Sequence, residues 1–154
     1  MKGLLNLIAA SFLIAGLTSC LKDECQEKTV QSEQSEILAF AGANGITATA
    51  HSSGMYYQII NPGSGSTPNS SSQVKVTYTG KLMNGNTFES TSTPTDFLNM
   101  SQFIDGWIVG LPLIAEGGTI KLIIPSSMAY GCEAVGVIPA HSILYFEITL
   151  VDVQ

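Results

Sequence analysis

From Gly54 to the end, the chain is a succession of short β-type patterns punctuated by turns. Met55-Tyr56-Tyr57-Gln58-Ile59-Ile60 is rich in aromatic and β-branched residues, the composition a pleated surface accepts best. Val74-Lys75-Val76-Thr77-Tyr78 alternates apolar and polar positions, as a half-buried strand does, and Ile120–Ile124 and Ile143–Val151 are further strands. Asn84-Gly85 lies between KLM and NTFES and predicts a hairpin closed by a type I′ turn, which needs positive φ at both centres. NPGSGSTPNSSS (61–72) and GCEAVGVIPAHS (131–142) are loops. The period changes in FIDGWIVGLPLI (103–114), where Trp107, Leu111 and Ile114 share one helical face at i, i+4 and i+7. This predicts a short central helix entered at Gly106, with Asp105 near its positive end. Ile108, Val109 and Leu113 leave few polar positions, so the helix must be covered nearly all round. Pro112 cannot donate to the carbonyl of Ile108, which predicts a kink or an early break.

Ahead of the strands, Ile37, Leu38, Phe40 and Ala41 form the apolar part of a second helix over 32–43. Ser32 or Ser35 is its expected cap, Asn44-Gly45 its stop, and Glu33 and Glu36 are acidic residues favoured in its first turn. Residues 20–31 are polar and without periodicity, and read as a flexible spacer. Five or six strands, one central helix and one accessory helix argue an α+β domain, an antiparallel sheet with a helix packed on one face. The accessory helix is expected to pack on the sheet rather than to mediate dimerisation, and the chain to be a monomer.

The first twenty residues read differently. Lys2 precedes fourteen uncharged, mostly apolar residues, Leu4–Leu17, too few for a span of ~20 but suited to a signal-peptide core. Leu17-Thr18-Ser19-Cys20 resembles the lipobox of bacterial lipoprotein precursors, which implies cleavage before Cys20 and lipidation of its thiol. Leu21-Lys22-Asp23-Glu24 resembles the Lys-acidic-acidic export tag of some Bacteroidota lipoproteins. The expected location is therefore the outer membrane, held through the lipid anchor, either displayed at the surface or facing the periplasm. The expected organisation is 1–19 signal peptide, 20–31 tether, 32–53 accessory helix and connector, and 54–154 the main domain. Removing Lys2 with the leader takes the formal charge from −6 to −7, and the chain has no arginine, so a nucleic-acid partner is excluded. With Cys20 lipidated, Cys25 and Cys132 remain; no CxxC or Cys/His spacing motif exists, so no metal site is expected. A disulfide between them is chemically allowed outside the cytoplasm, but one lies in a spacer and the other in a loop, and the sequence favours leaving them unpaired.

Three blocks stand in order: VTYTGKLMNGNTFES from Val74, FIDGWIVGLPLI from Phe103, and IPSSMAYGCEAVGVIPAHSILYFEITL from Ile124. Together they resemble the FKBP-type peptidyl-prolyl cis-trans isomerases over about residues 54–154. The resemblance implies an antiparallel sheet wrapped around the short helix, with Trp107 as the floor of a shallow apolar pocket for a substrate proline ring. The catalytic set it implies is Tyr78, Phe88, Glu89 and Tyr130, and the substrate-binding set is Phe103, Ile104, Trp107, Ile138 and Phe146. The N–H of Ile104 and the hydroxyl of Tyr130 are implied to hold substrate carbonyls. Phe103 stands where the family usually has valine, and makes the rim bulkier. Glu89 replaces the usual aspartate; its extra methylene moves the carboxylate by about 1.5 Å, enough to disturb a hydrogen bond to Tyr78. The loop 131–142 is slightly short, with Ala140 in place of a common proline. The register of TDFLNMSQ does not decide whether Phe97 lines the pocket. His51 and His141 read as surface or turn residues, and Glu116, Lys121 and Asp152 as solvated charges.

The chemistry implied needs no cofactor. The expected substrates are unfolded or flexible proline-containing polypeptides, whose X-Pro bonds would be isomerised during folding of exported proteins. The alternative is a non-catalytic FKBP-fold proline-binding or chaperone module on the cell envelope, for which Glu89 and the altered loop speak.

Overall fold

The computed structural model describes residues 25–154; the Leu4–Leu17 stretch, Cys20 and the segment Leu21–Glu24 lie outside the described residues. One antiparallel sheet of seven strands carries the fold, in the order β1 (Thr49–Ala50), β2 (Tyr56–Asn61), β6 (Thr119–Ile124), β7 (Leu144–Val153), β3 (Gln73–Leu82) and β4 (Thr87–Thr91). The two-residue β5 (Leu98–Asn99) pairs with the start of β3. The α+β expectation holds, with two short strands, β1 and β5, that the sequence pattern did not resolve.

Alternation along the long strands sets two apolar faces. Register pairs Gly80 with Phe146, Tyr78 with Ile148 and Val76 with Leu150. These residues join Ile120, Leu122 and Ile124 of β6 on the face that meets α2 (Asp105–Gly110). The intervening residues Ile123 and Tyr145 point the other way, where with Tyr56 and Ile143 they receive Ile37 and Ala41 of α1 (Val30–Ala43). The sheet therefore has a helix on each face, not on one. Full burial of Ile37 alone is worth about 1.5–3 kcal/mol, so α1 belongs to the packed body of the domain.

Glycine makes the central helix fit. Gly106 and Gly110 are one helical turn apart and both face the sheet: a Cβ on Gly106 would stand 2.5 Å from Ile124, and one on Gly110 2.6 Å from Leu122. Only a bare backbone lets so short a helix lie this close to β6, and the approach presses Trp107, Leu111 and Ile114 into the core, each 5 % exposed or less. Pro112 does not kink a continuing helix. The α-helix stops at Gly110, and Pro112 occupies the beginning of a 3-10 turn, Leu111–Leu113, where no donor is missed.

Three further expectations are corrected. The accessory helix starts at Val30, capped by Thr29 rather than by Ser32 or Ser35; Thr29 Oγ1 accepts from the Ser32 N–H at 3.3 Å. The β3–β4 hairpin forms, but only Gly85 has positive φ, at 87°. Gly85 N donates to Leu82 O and Leu82 N to Asn86 O, both at 2.9 Å, which makes a three-residue loop with a glycine bulge in place of a type I′ turn. Finally, Cys25 and Cys132 form a disulfide, with Cα atoms 5.9 Å apart, and the spacer is fixed to the 131–142 loop at that point. The pairing was hidden because it spans 107 residues and depends on α1 running back beside that loop.

Candidate active site

Where β3, β4 and β7 curl over α2, the packed rings leave an open cavity of about 200 Å³. Trp107 lies at its base, with ring centroids 5.2 Å from both Tyr78 and Phe146 at interplanar angles of 85° and 87°. Phe88 meets Phe146 edge-on at 5.5 Å, and Phe103 tilts against Trp107 at 4.9 Å. Perpendicular pairs of this kind place positive ring edges on negative faces and add about 0.5–1.5 kcal/mol each beyond burial. The box has room for two of its walls because Gly80 has no side chain; a Cβ there would lie 2.6 Å from Phe88 and 2.8 Å from Phe146.

The structure brings Tyr78, Phe88, Glu89, Phe103, Ile104, Trp107, Tyr130 and Phe146 to this one cavity. Ile138 stands apart from the lining: it is buried in the core that supports Trp107 and Phe146. Leu98 and Gln102 line the cavity without having been singled out in the sequence. The register of 93–102 accounts for this. Met100 N donates to Ser72 O and Thr95 N to Val76 O, each at 3.0 Å, and β5 pairs Leu98 with Val74. That register turns Leu98 inward and lays the Phe97 ring under the Lys75 ammonium, 4.4 Å from its centroid. No residue spacing encodes the choice; it needs the partner strand.

Two polar groups stand at the mouth. Ile104 has extended backbone just before α2, and among the described residues no backbone carbonyl accepts from its N–H. Tyr130, 37 % exposed, follows the 3-10 turn Ser126–Met128 and so carries its hydroxyl to the rim. Among the described residues, no Ser, Thr, Cys, His or Lys lines the cavity. The one compact group of potential metal ligands among the described residues, Cys25, Cys132 and His141, lies away from the cavity, and both its sulfurs are engaged in the disulfide. His141 is half-buried there with φ 57°, its Nε2 3.1 Å from Cys25 Sγ, and is thus a packed turn residue rather than a surface one. Lys121, read from sequence as solvated, lies 3.9 Å from Glu147 in a surface ion pair.

Burial first, and then the Glu89 carboxylate beside it, push the Tyr78 hydroxyl from 10.0 up to about 12. Glu89 favours the protonated form both as an acceptor and through its charge. Glu89 and Tyr78 both line the cavity, from the paired strands β4 and β3. On the other face of the sheet, Tyr145 is likewise raised by burial and by Glu147.

The chain belongs to the family of FKBP-type peptidyl-prolyl cis-trans isomerases, whose pattern it matches over residues 64–151, more than half its length. It is 43 % identical over 106 residues to the FKBP-type peptidyl-prolyl cis-trans isomerase FkpA of Buchnera aphidicola subsp. Baizongia pistaciae, a match covering 67 % of this chain and 42 % of that one. A probable FKBP-type peptidyl-prolyl cis-trans isomerase of Haemophilus influenzae is 32 % identical over 166 residues, covering 92 % of this chain and 68 % of its relative. Among solved structures, that of FkpA from Escherichia coli superposes with a TM-score of 0.72 at 35 % identity, over 80 % of this chain and 58 % of that one. The chain thus spans less than half the length of the FkpA of B. aphidicola subsp. Baizongia pistaciae.

Because the folded-state value of Tyr78 lies above its ordinary one, the hydroxyl stays protonated where an unfolded tyrosine ionises. Its support for the fold is complete below pH 10 and is lost as pH rises through about 12. Titration of phenolate absorbance should show late-ionising tyrosines among the five, and Tyr78→Phe should remove one of them. Loss of a tyrosine of ordinary pKa instead would contradict the assigned environment.

Proposed function

We propose that this protein is a peptidyl-prolyl cis-trans isomerase acting on X-Pro bonds of exported polypeptides. The observation that carries the reading is the aromatic cavity over Trp107, about 200 Å³ in volume and open on one side. It suits a proline ring, and its walls are apolar where the imide would sit. Rotation about an X-Pro bond breaks amide resonance against a barrier of ~18–20 kcal/mol. The twisted amide has less charge separation than the planar one, so a site that excludes water from the imide favours the twisted form. Only that difference accelerates the reaction.

In this reading Tyr78, Phe88, Phe103, Trp107 and Phe146 enclose the ring, while Leu98 and Gln102 extend the wall and Ile138 supports it from behind. The Ile104 N–H and the Tyr130 hydroxyl orient the carbonyls on either side of the proline. Burial, and then the Glu89 charge, keep the Tyr78 hydroxyl protonated. The isomerase domain comprises residues 54–154, with α1 packed on its outer face, and the protein works as a monomer.

A non-catalytic proline-binding or chaperone module would use the same cavity, and Glu89 in place of aspartate favours it. The presence of Glu89 beside Tyr78 in the same cavity lining weighs the other way. NMR exchange spectroscopy of a short X-Pro peptide with the full chain separates the two. Acceleration of cis-trans exchange, reduced ~10-fold or more in a folded Trp107→Ala variant, is the expected outcome; binding without acceleration would establish the module instead.

The lipobox-like Leu17–Cys20 segment supports anchoring as a lipoprotein of the outer membrane, after loss of a signal peptide over 1–19. Each buried lipid methylene contributes ~0.8 kcal/mol, and a multiply acylated cysteine holds stably. Mass spectrometry of the protein isolated from membranes should find an N-terminal acylated Cys20; a mature chain with a free Cys20 thiol would overturn the anchor.

A further inference from the structure

We propose that Glu33, on the accessory helix, is a positioning residue for Tyr130, and that Glu33 and the Cys25–Cys132 disulfide bracket the turn on which Tyr130 sits. The proposal rests on the prolyl isomerase reading for its functional consequence, and on the geometry alone for its structural one.

Glu33 occupies the first turn of α1, a place where an acidic residue is ordinarily a solvated partner of the helix dipole. Here it is 2 % exposed, and its Oε2 accepts the backbone N–H of Ser126 at 2.8 Å. Lys28 Nζ lies 3.8 Å from Oε1 and supplies a partly exposed counter-charge. A buried carboxylate is costly unless paired, and an apolar residue at this position would attach α1 to the sheet without that cost. What a carboxylate adds is an acceptor aimed at one particular N–H.

That N–H opens the turn leading to Tyr130. Ser126 is fully buried, and its carbonyl accepts from Ala129 N at 3.0 Å and Gly131 N at 2.8 Å, so the residues on both sides of Tyr130 hang from it. Beyond Gly131, Cys132 is bonded to Cys25, and His141 N donates to Gly131 O at 2.7 Å. The turn is therefore held at its start by Glu33 and at its end by Cys25. Neither residue lies in the span 64–151 that matches the family. The segment before the matched span thus holds the turn at the rim of the cavity through one side-chain-to-backbone hydrogen bond and one disulfide, without lining the cavity itself.

The test uses the full chain with Glu33→Ala, Glu33→Gln, Tyr130→Phe, the pair Glu33→Ala/Tyr130→Phe, and Cys25→Ser. Isomerisation of an X-Pro peptide is followed at low and saturating peptide, and the Tyr130 amide resonance is recorded for each protein. The expected result is a ~10-fold or greater fall in turnover for Glu33→Ala, with peptide KM little changed. Recovery should follow in Glu33→Gln, whose carboxamide oxygen accepts from Ser126 N. In the double variant, Tyr130→Phe should add little to Glu33→Ala, because both remove the same placed hydroxyl; independent structural damage would add in full. Equal loss in Glu33→Ala and Glu33→Gln, or full additivity, would overturn the proposal. If Glu33→Ala does not fold, Cys25→Ser loosens the same turn from its other end, and an unmoved Tyr130 resonance with unchanged turnover there would overturn the bracket. Should the parent chain fail to accelerate exchange at all, the isomerase reading falls separately. A shift of the Tyr130 amide in Glu33→Ala, restored in Glu33→Gln, would still support the positioning contact, and an unmoved amide would overturn it.

Discussion

The close approach of α2 to β6 is the contact on which the rest of this domain depends. Two glycines a turn apart remove the side chains that would otherwise separate helix from sheet, and the backbone comes to rest against Ile124 and Leu122. At that distance the indole of Trp107 cannot lie in solvent. It is driven between the sheet and the rings of Tyr78 and Phe146, and its neighbours settle edge to face around it. A longer helix would have distributed this packing over several turns. Here six residues and a 3-10 turn do it, because the chain must leave for β6 after Ile114.

The same economy operates at Gly80, where a missing side chain near the end of β3 gives Phe88 and Phe146 a common space. Core and cavity are consequently one packing problem: the rings that line the opening also close the apolar cluster beneath it. The lining is mostly aromatic and aliphatic, with Glu89, Gln102 and Tyr130 as its more polar members. On the opposite face, α1 makes a second, smaller core with Tyr56, Ile123 and Tyr145, and sends one buried carboxylate back to the turn beside the cavity.

Local pattern carried a great deal of this. The strand alternation of 74–78, the glycine-flanked tryptophan and the ordered family blocks were sufficient for the fold class and for eight of the residues that line the cavity. What escaped depends on partners distant in sequence. Leu98 and Phe97 are adjacent apolar residues, and only pairing with Val74 and Gln73 decides which faces inward. Cys25 and Cys132 are far apart in the chain, and no spacing rule joins them. Glu33 looked like an ordinary first-turn acid, since nothing local reveals that Ser126 covers it. The hairpin at Asn84-Gly85 was legible as a turn but not as a type, because Asn84 keeps negative φ and the bulge falls on Gly85 alone.

In the proposed function, the floor of aromatic rings receives a proline ring. Intermolecular NOEs between the full chain and an isotopically labelled X-Pro peptide test it most directly. The expected result is contacts from the proline ring protons to Trp107, Tyr78 and Phe146, with those protons shifted upfield by ring currents. Contacts confined to the polar outer face of β3, β4 and β7, around Thr77, Ser90 and Thr149, would contradict it.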